Sequence, residues 1–157
     1  MLTINSLAPL DVPVLTSEGV STSLRDYLGS YLVLYFYPKD ATPGCTLEAC
    51  NFRDANSELQ KSGVTVIGIS ADSVKSHQKF AEKHSLPFPL FSDEKKELIS
   101  AFGVLVEKSM FGKKYMGIER STFVIDPKGK IVHVWPKVNP LGHSDAVLTF
   151  FRDKLKR

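Results

Sequence analysis

Apolar residues along the chain change their spacing several times, and the changes outline its elements. Tyr31 to Tyr37 (YLVLYFY) is an unbroken aliphatic and aromatic run ending at Pro38, the pattern of a strand buried on both faces. Ala49, Phe52, Ala55 and Leu59 then recur at helical spacing, which predicts a helix from about Cys45 to Lys61 that Gly63 ends. VTVIGIS (64–70) reads as a second buried strand, and Asp72 or Ser73 can cap a helix carrying Val74, Phe80 and Ala81 on its inner face. LPFPLF (86–91) is a short extended piece, followed by a helix from about Lys95 to Phe102 with Leu98, Ala101 and Phe102 as its apolar side. STFVID (121–126), PKGK and IVHVWP (131–136) make a hairpin turned by Pro127 and Gly129. A last helix starts near Ser144, capped there or by Asp145, and buries Val147, Phe150, Phe151 and Leu155. Residues 103–119 show no clear period and read as a surface loop with functional freedom.

Alternating strands and helices imply a parallel core with right-handed crossovers, to which the hairpin adds antiparallel edge strands. The expected fold is an α/β sandwich of the thioredoxin-like kind, a central mixed β-sheet flanked by helices. With 157 residues, 43% hydrophobic and 24% charged, the chain suits one domain over 1–157. Its first residues lack a basic segment followed by an apolar run, and no window approaches 18 apolar residues, so a soluble, non-secreted, cytoplasmic protein with no membrane partner is expected. The net charge of +3 comes from 20 basic and 17 acidic residues that interleave, as in DEKKE at 93–97. FGKKY (111–115) and DKLKR (153–157) are short and lack interleaved aromatics, which argues against a nucleic-acid partner.

The two cysteines, Cys45 and Cys50, lie in one stretch, PKDATPGCTLEAC (38–50). Zinc needs four ligands, and His77, His84, His133 and His143 show no H-x3-5-H pairing, so neither a metal nor another cofactor is expected. The absence of CxxC disfavours a direct dithiol oxidoreductase, and Asn51 stands where a C-x5-R phosphate loop needs arginine. Cys45 falls in the first turn of its predicted helix, where free N–H groups and the positive end of the dipole favour a thiolate. Pro43 has no N–H, which leaves those of Gly44 and Cys45 to face a bound oxygen, and Gly44 lets a small substrate come close. The Thr42 hydroxyl can donate to the thiolate or to a peroxide oxygen, and Pro38 supplies an apolar wall. The alternative is that both cysteines merely fill space as small apolar residues. On an ideal helix their Cα atoms lie roughly 8 to 9 Å apart, beyond the ~4.4–6.8 Å span of a disulfide. They can join only if the helix unwinds locally, which would make Cys50 a resolving thiol.

FYPKDATPGCTLEACNFRD carries the P-x3-T-x2-C signature of peroxiredoxins at Pro38, Thr42 and Cys45, and its C-x4-C spacing is similar to the bacterioferritin-comigratory or peroxiredoxin Q branch. VIGISADSVKSHQKFAEKH, FPLFSDEKKEL and ERSTFVIDPKGKI resemble that branch in the same order. The resemblance implies a thioredoxin-like fold, a thiol peroxidase, and recycling by thioredoxin or a related dithiol protein. It implies Cys45 as peroxidatic cysteine, Cys50 as resolving cysteine, Thr42 and Pro38 as pocket residues, and Arg120 as the active-site arginine. Glu48, one turn after Cys45, either orients Arg120 or reaches solvent; Tyr37 and Arg53 are further pocket candidates. A resolving cysteine in the same helix needs no second subunit, so a monomer is expected. Two readings compete: a general thiol–disulfide oxidoreductase, and a redox-sensing holdase. Neither needs the whole set Pro38, Thr42, Cys45 and Arg120. The chain departs from the family's Gly-x-x-Ala-Pro-x-Phe pattern, with Asn5 and Asp11 at the Gly and Phe positions.

Overall fold

In the computed structural model, which describes residues 1–155 apart from the Leu155 side chain, the apolar runs become the middle of a sheet. β3 (Tyr31–Phe36) pairs in parallel with β4 (Val64–Ser70), and β4 pairs in parallel with β5 (Leu90–Ser92). On the other side of β3 lie β8 (Ser121–Ile125) and then β9 (Ile131–Trp135), both antiparallel. Two short strands not anticipated from the sequence, β1 (Val14–Thr16) and β2 (Ser21–Thr22), complete the order β2-β1-β5-β4-β3-β8-β9. They escape period-based reading because three and two residues cannot display an alternation.

Successive residues of β3 enter opposite cores, which is why its sequence shows no alternation. Val33 and Tyr35 pack with α1 (Pro43–Lys61), α2 (Val74–His84) and α4 (His143–Leu155). Leu32, Leu34 and Phe36 pack with α3 (Glu97–Phe102). Gly68 lies opposite Tyr35 in the β3–β4 register, and a Cβ there would come within 2.8 Å of both the Tyr35 ring and Leu90. The missing side chain is the space the tyrosine occupies.

Several boundaries move. α1 begins at Pro43, before the expected Cys45, because proline has no N–H to lose and its fixed φ suits the first helical position. α2 is capped by Ser73, which accepts from the Ser76 N–H at 3.1 Å. Its buried residues are His77 and Phe80, while Val74 and Ala81 are only half-buried. α3 starts at Glu97 and buries Ile99 with Leu98 and Phe102. α4 starts at His143, so Ser144 and Asp145 stand inside its first turn; Val147 and Phe151 are buried, Phe150 is half-buried, and Leu155 lies outside the described side chains.

The largest correction concerns 103–119, which is no loop. β6 (Leu105–Met110) and β7 (Lys113–Ile118) form an antiparallel ribbon turned at Phe111-Gly112. Both turn residues have positive φ, 52° and 76°, as a two-residue turn matching strand twist requires. The ribbon is largely exposed on both sides, so its residues never had to alternate between apolar and polar. The family departures also find a reason: Asn5 adopts the left-handed φ of 78° that glycine favours, and Asp11 accepts two bonds from Arg25 at 2.6 and 2.9 Å.

Candidate active site

The chain leaves β3, turns through residues 37–42, and enters α1 with Cys45 in the first helical turn. The turn contains Ala41 at φ 62°, an uncommon conformation for a residue with a Cβ. A buried polar cluster holds it. Asp40 accepts from the Tyr37 hydroxyl at 2.6 Å, the Ser76 hydroxyl at 2.8 Å and His77 Nδ1 at 2.7 Å. Its own N–H donates to Asp72 at 2.8 Å. His77 Nε2 faces the Phe91 carbonyl at 3.0 Å. The ring is thus held from both sides, by a carboxylate on one nitrogen and a carbonyl on the other. Burial pushes the Asp40 carboxyl up, but the hydrogen bond and charge of His77 outweigh it, and the group ends below the ordinary carboxylate range.

This cluster corrects the pocket role expected of Tyr37, whose buried hydroxyl serves Asp40. It also brings Asp40, Asp72 and His77 within the reach of a common centre, their ligating atoms lying within 4.8 Å of one another. Those atoms are already engaged by protein partners.

Cys45 is buried, and its sulfur accepts from Arg120 Nη2 at 3.2 Å. Arg120 stands just before β8, where its carbonyl accepts from the Val138 N–H at 2.7 Å. Its Nη1 donates to Glu48 Oε1 at 2.7 Å, so the guanidinium bridges carboxylate and sulfur. Burial works against the Arg120 charge, but Glu48 and Cys45 outweigh it and its pKa is raised. Glu48 is buried at 1% exposure, which decides between the two readings: it orients Arg120 and does not reach solvent. Burial pushes its pKa up to about 7 against the pull of Arg120, and its Oε2 has no hydrogen-bond partner. Beneath them His143 Nε2 meets the Thr122 hydroxyl at 2.8 Å; burial, helped by the Arg120 charge, drops its pKa to about 4 and keeps it neutral.

The remaining residues sit around this pair. Thr42 is the residue before the helix, but its hydroxyl donates to the Lys39 carbonyl at 2.9 Å and caps no N–H of α1. A Cβ on Gly44 would lie 3.4 Å from Arg120 Nη2 and 3.5 Å from Pro140, at the edge of the space beside Cys45. Pro38 is exposed at the rim. Cys50 lies on the same intact helix, half-buried, with its sulfur 3.8 Å from His84 Nδ1. Arg53, a pocket candidate, reaches away to the His84 carbonyl at 2.9 Å. Sequence reading missed Asp40, His77, His84 and His143, none of which carries a local spacing signal.

Residues 4–134 match the AhpC/TSA family. Among curated proteins, the chain is 47% identical over 150 residues to peroxiredoxin Bcp of Xanthomonas campestris, covering 96% of this chain and 94% of that one. It is 48% identical over 143 residues to peroxiredoxin Bcp of Bacillus subtilis, covering 91% of each. Among solved structures, it superposes on the Xanthomonas campestris bacterioferritin comigratory protein, described for its alkyl peroxide reduction, with a TM-score of 0.91 and 45% identity over 98% of this chain and 99% of that one. A peroxiredoxin Q variant of Xylella fastidiosa gives a TM-score of 0.93 at 39% identity over 99% and 98%.

Proposed function

The chain belongs to the AhpC/TSA family as a peroxiredoxin of the Bcp or peroxiredoxin Q branch, and from that premise we propose that Cys45 is its peroxide-attacking sulfur and Cys50 its resolving thiol. The observation that carries this reading is the Arg120 guanidinium, held by Glu48 and donating to the Cys45 sulfur at 3.2 Å. A cation fixed at that distance stabilises negative charge on sulfur before attack and on oxygen during it. The substrates are hydrogen peroxide and small organic hydroperoxides.

The Cys45 thiolate attacks one peroxide oxygen in line with the O–O bond. An S–O bond forms, the O–O bond breaks, and the departing oxygen leaves as water or alcohol after taking a proton. The free N–H groups of Gly44 and Cys45, in a helix start that no side chain caps, join Arg120 in stabilising the transferred charge. Thr42, whose hydroxyl proton is committed to Lys39, offers its lone pairs to a peroxide O–H, which reverses the donor role expected of it.

Cys50 then attacks the sulfenic acid, forming an intramolecular disulfide and releasing water. Both sulfurs begin on one unbroken helix, so the first turn of α1 must unwind for them to meet. Thioredoxin or a related dithiol protein reduces the disulfide. Because both thiols lie in one helix, a monomer working as a single catalytic domain in the cytoplasm suffices. Among the described residues, no helix is long and apolar enough to cross a membrane.

Cys45→Ser is expected to reduce peroxide consumption to background. Cys50→Ser should keep the first oxidation but lose thioredoxin-coupled turnover, and its oxidised form should gain sixteen mass units where the wild type loses two. Peroxidase activity retained by Cys45→Ser would sink the assignment.

A further inference from the structure

We propose that His84 is the general base of the resolving step, a role that rests on Cys50 being the resolving thiol. Attack on a sulfenic acid requires Cys50 as thiolate. The device that serves Cys45 does not extend to it: the Arg120 guanidinium is taken up by Cys45 and Glu48, and Cys50 lies two turns into α1, beyond the stretch where free N–H groups and the dipole act. It needs its own means of losing a proton.

His84 supplies one. It is the last residue of α2, and its Nδ1 lies 3.8 Å from Cys50 Sγ, within reach of an S–H···N hydrogen bond. Two contacts hold the residue there, one on its main chain and one on its ring. The His84 carbonyl accepts from Arg53 Nη1 at 2.9 Å, and the ring packs edge-on to Phe80 with centroids 5.0 Å apart. Arg53 is one turn after Cys50 on the same helix, so this staple holds α2 against the face that carries the thiol. The charged groups near the pair are Arg53, bound to Asp54 at 3.1 Å, and Lys83 in the last turn of α2.

The arrangement also survives the motion that resolution demands. Unwinding concerns the turns around Cys45, whereas the part of α1 beyond Cys50 is anchored by buried Phe52, Ala55 and Leu59. Cys45 travels toward Cys50, and Cys50 stays beside His84. The imidazole takes the thiol proton on Nδ1 as Cys50 Sγ attacks Cys45 Sγ. The S–S bond forms, the S–O bond of the sulfenic acid breaks, and the hydroxide takes the proton from the imidazolium to leave as water. The step balances without another oxidant or reductant.

The test is single-turnover rapid mixing of the full chain with one equivalent of hydrogen peroxide, followed separately for Cys45 oxidation and Cys45–Cys50 disulfide formation between pH 5 and 9. Wild type, His84→Ala and His84→Gln are compared. Cys45 oxidation should be unchanged in all three. Disulfide formation should slow about 10- to 30-fold at pH 7 in both variants, because an unassisted thiol is only a few per cent ionised there, and the gap should close toward pH 9. Added imidazole should partly rescue His84→Ala. A disulfide rate and pH profile equal to wild type in His84→Ala would overturn the role of His84 alone. If the wild type itself forms no Cys45–Cys50 disulfide, the resolving role of Cys50 falls and His84 falls with it.

Discussion

The two sulfurs stand five residues apart on one helix and occupy opposite kinds of surroundings. Cys45 is sealed in, and its partner arrives from 75 residues away as a permanent cation backed by a buried carboxylate. Cys50 is half-buried beside a single imidazole from α2, a group able to take a proton and give it back. In the proposed cycle, attack on peroxide needs charge stabilised in a fixed place, and resolution needs a proton moved at a place that another sulfur would visit. One helix meets both needs because its two thiols point about 140° apart around the axis.

The sharpest way to break the contrast is to free the turn that leads into Cys45. Asp40→Ala removes the acceptor for Tyr37, Ser76 and the buried His77, and should cost about 3–5 kcal/mol of stability in urea unfolding. Unchanged stability would mean that the turn is not held as described. A smaller effect, confined to one sulfur, is expected from Arg120→Met. Peroxide oxidation of Cys45 should slow by about 10²- to 10³-fold, while the rate of disulfide formation from preformed sulfenic acid stays near wild type. Equal slowing of both steps would show that the two thiols share one electrostatic system.

The smallest effect is a pH signature of the Cys45 side. Glu48 holds its proton more tightly folded, about 7, than its ordinary 4.5, so stability contributed by this site falls as pH rises through that window. His143 runs the other way: its pKa falls from 6.5 to about 4, so its contribution is present above 6.5 and is lost as pH falls toward 4. Between about pH 4.5 and 6.5 the two slopes oppose each other. Glu48→Gln should therefore make stability climb with pH across that interval, and His143→Gln should make it fall, each by roughly 1–3 kcal/mol. Parallel, flat profiles in urea titrations of both variants would contradict these protonation states.

What the sequence disclosed follows from range. β3, β4 and α1 were legible because burial imposes a period on neighbouring residues, and Pro38, Thr42 and Cys45 because a turn and a helix start lie within one short stretch. Arg120 was reached through resemblance, since nothing local ties it to a cysteine 75 positions earlier. Glu48 stayed ambiguous because a carboxylate one helical turn from Cys45 faces solvent or core according to what packs over it. Asp40 and His77 were missed for the same reason, lying 37 positions apart on different elements. The β6–β7 ribbon was mistaken for a loop because an exposed ribbon leaves no mark on hydrophobicity.

The void at Gly68 has a consequence for how this protein can change over time. Any side chain there meets both the Tyr35 ring and Leu90 at 2.8 Å, so a mutation at 68 disrupts packing unless positions 35 and 90 both give way. A smaller residue at 35 first would leave a hole beneath Phe52 and Tyr37, both stacked on that ring. Positions 35, 68 and 90 are therefore epistatically coupled, and a lineage that fills the void crosses through a weakened intermediate.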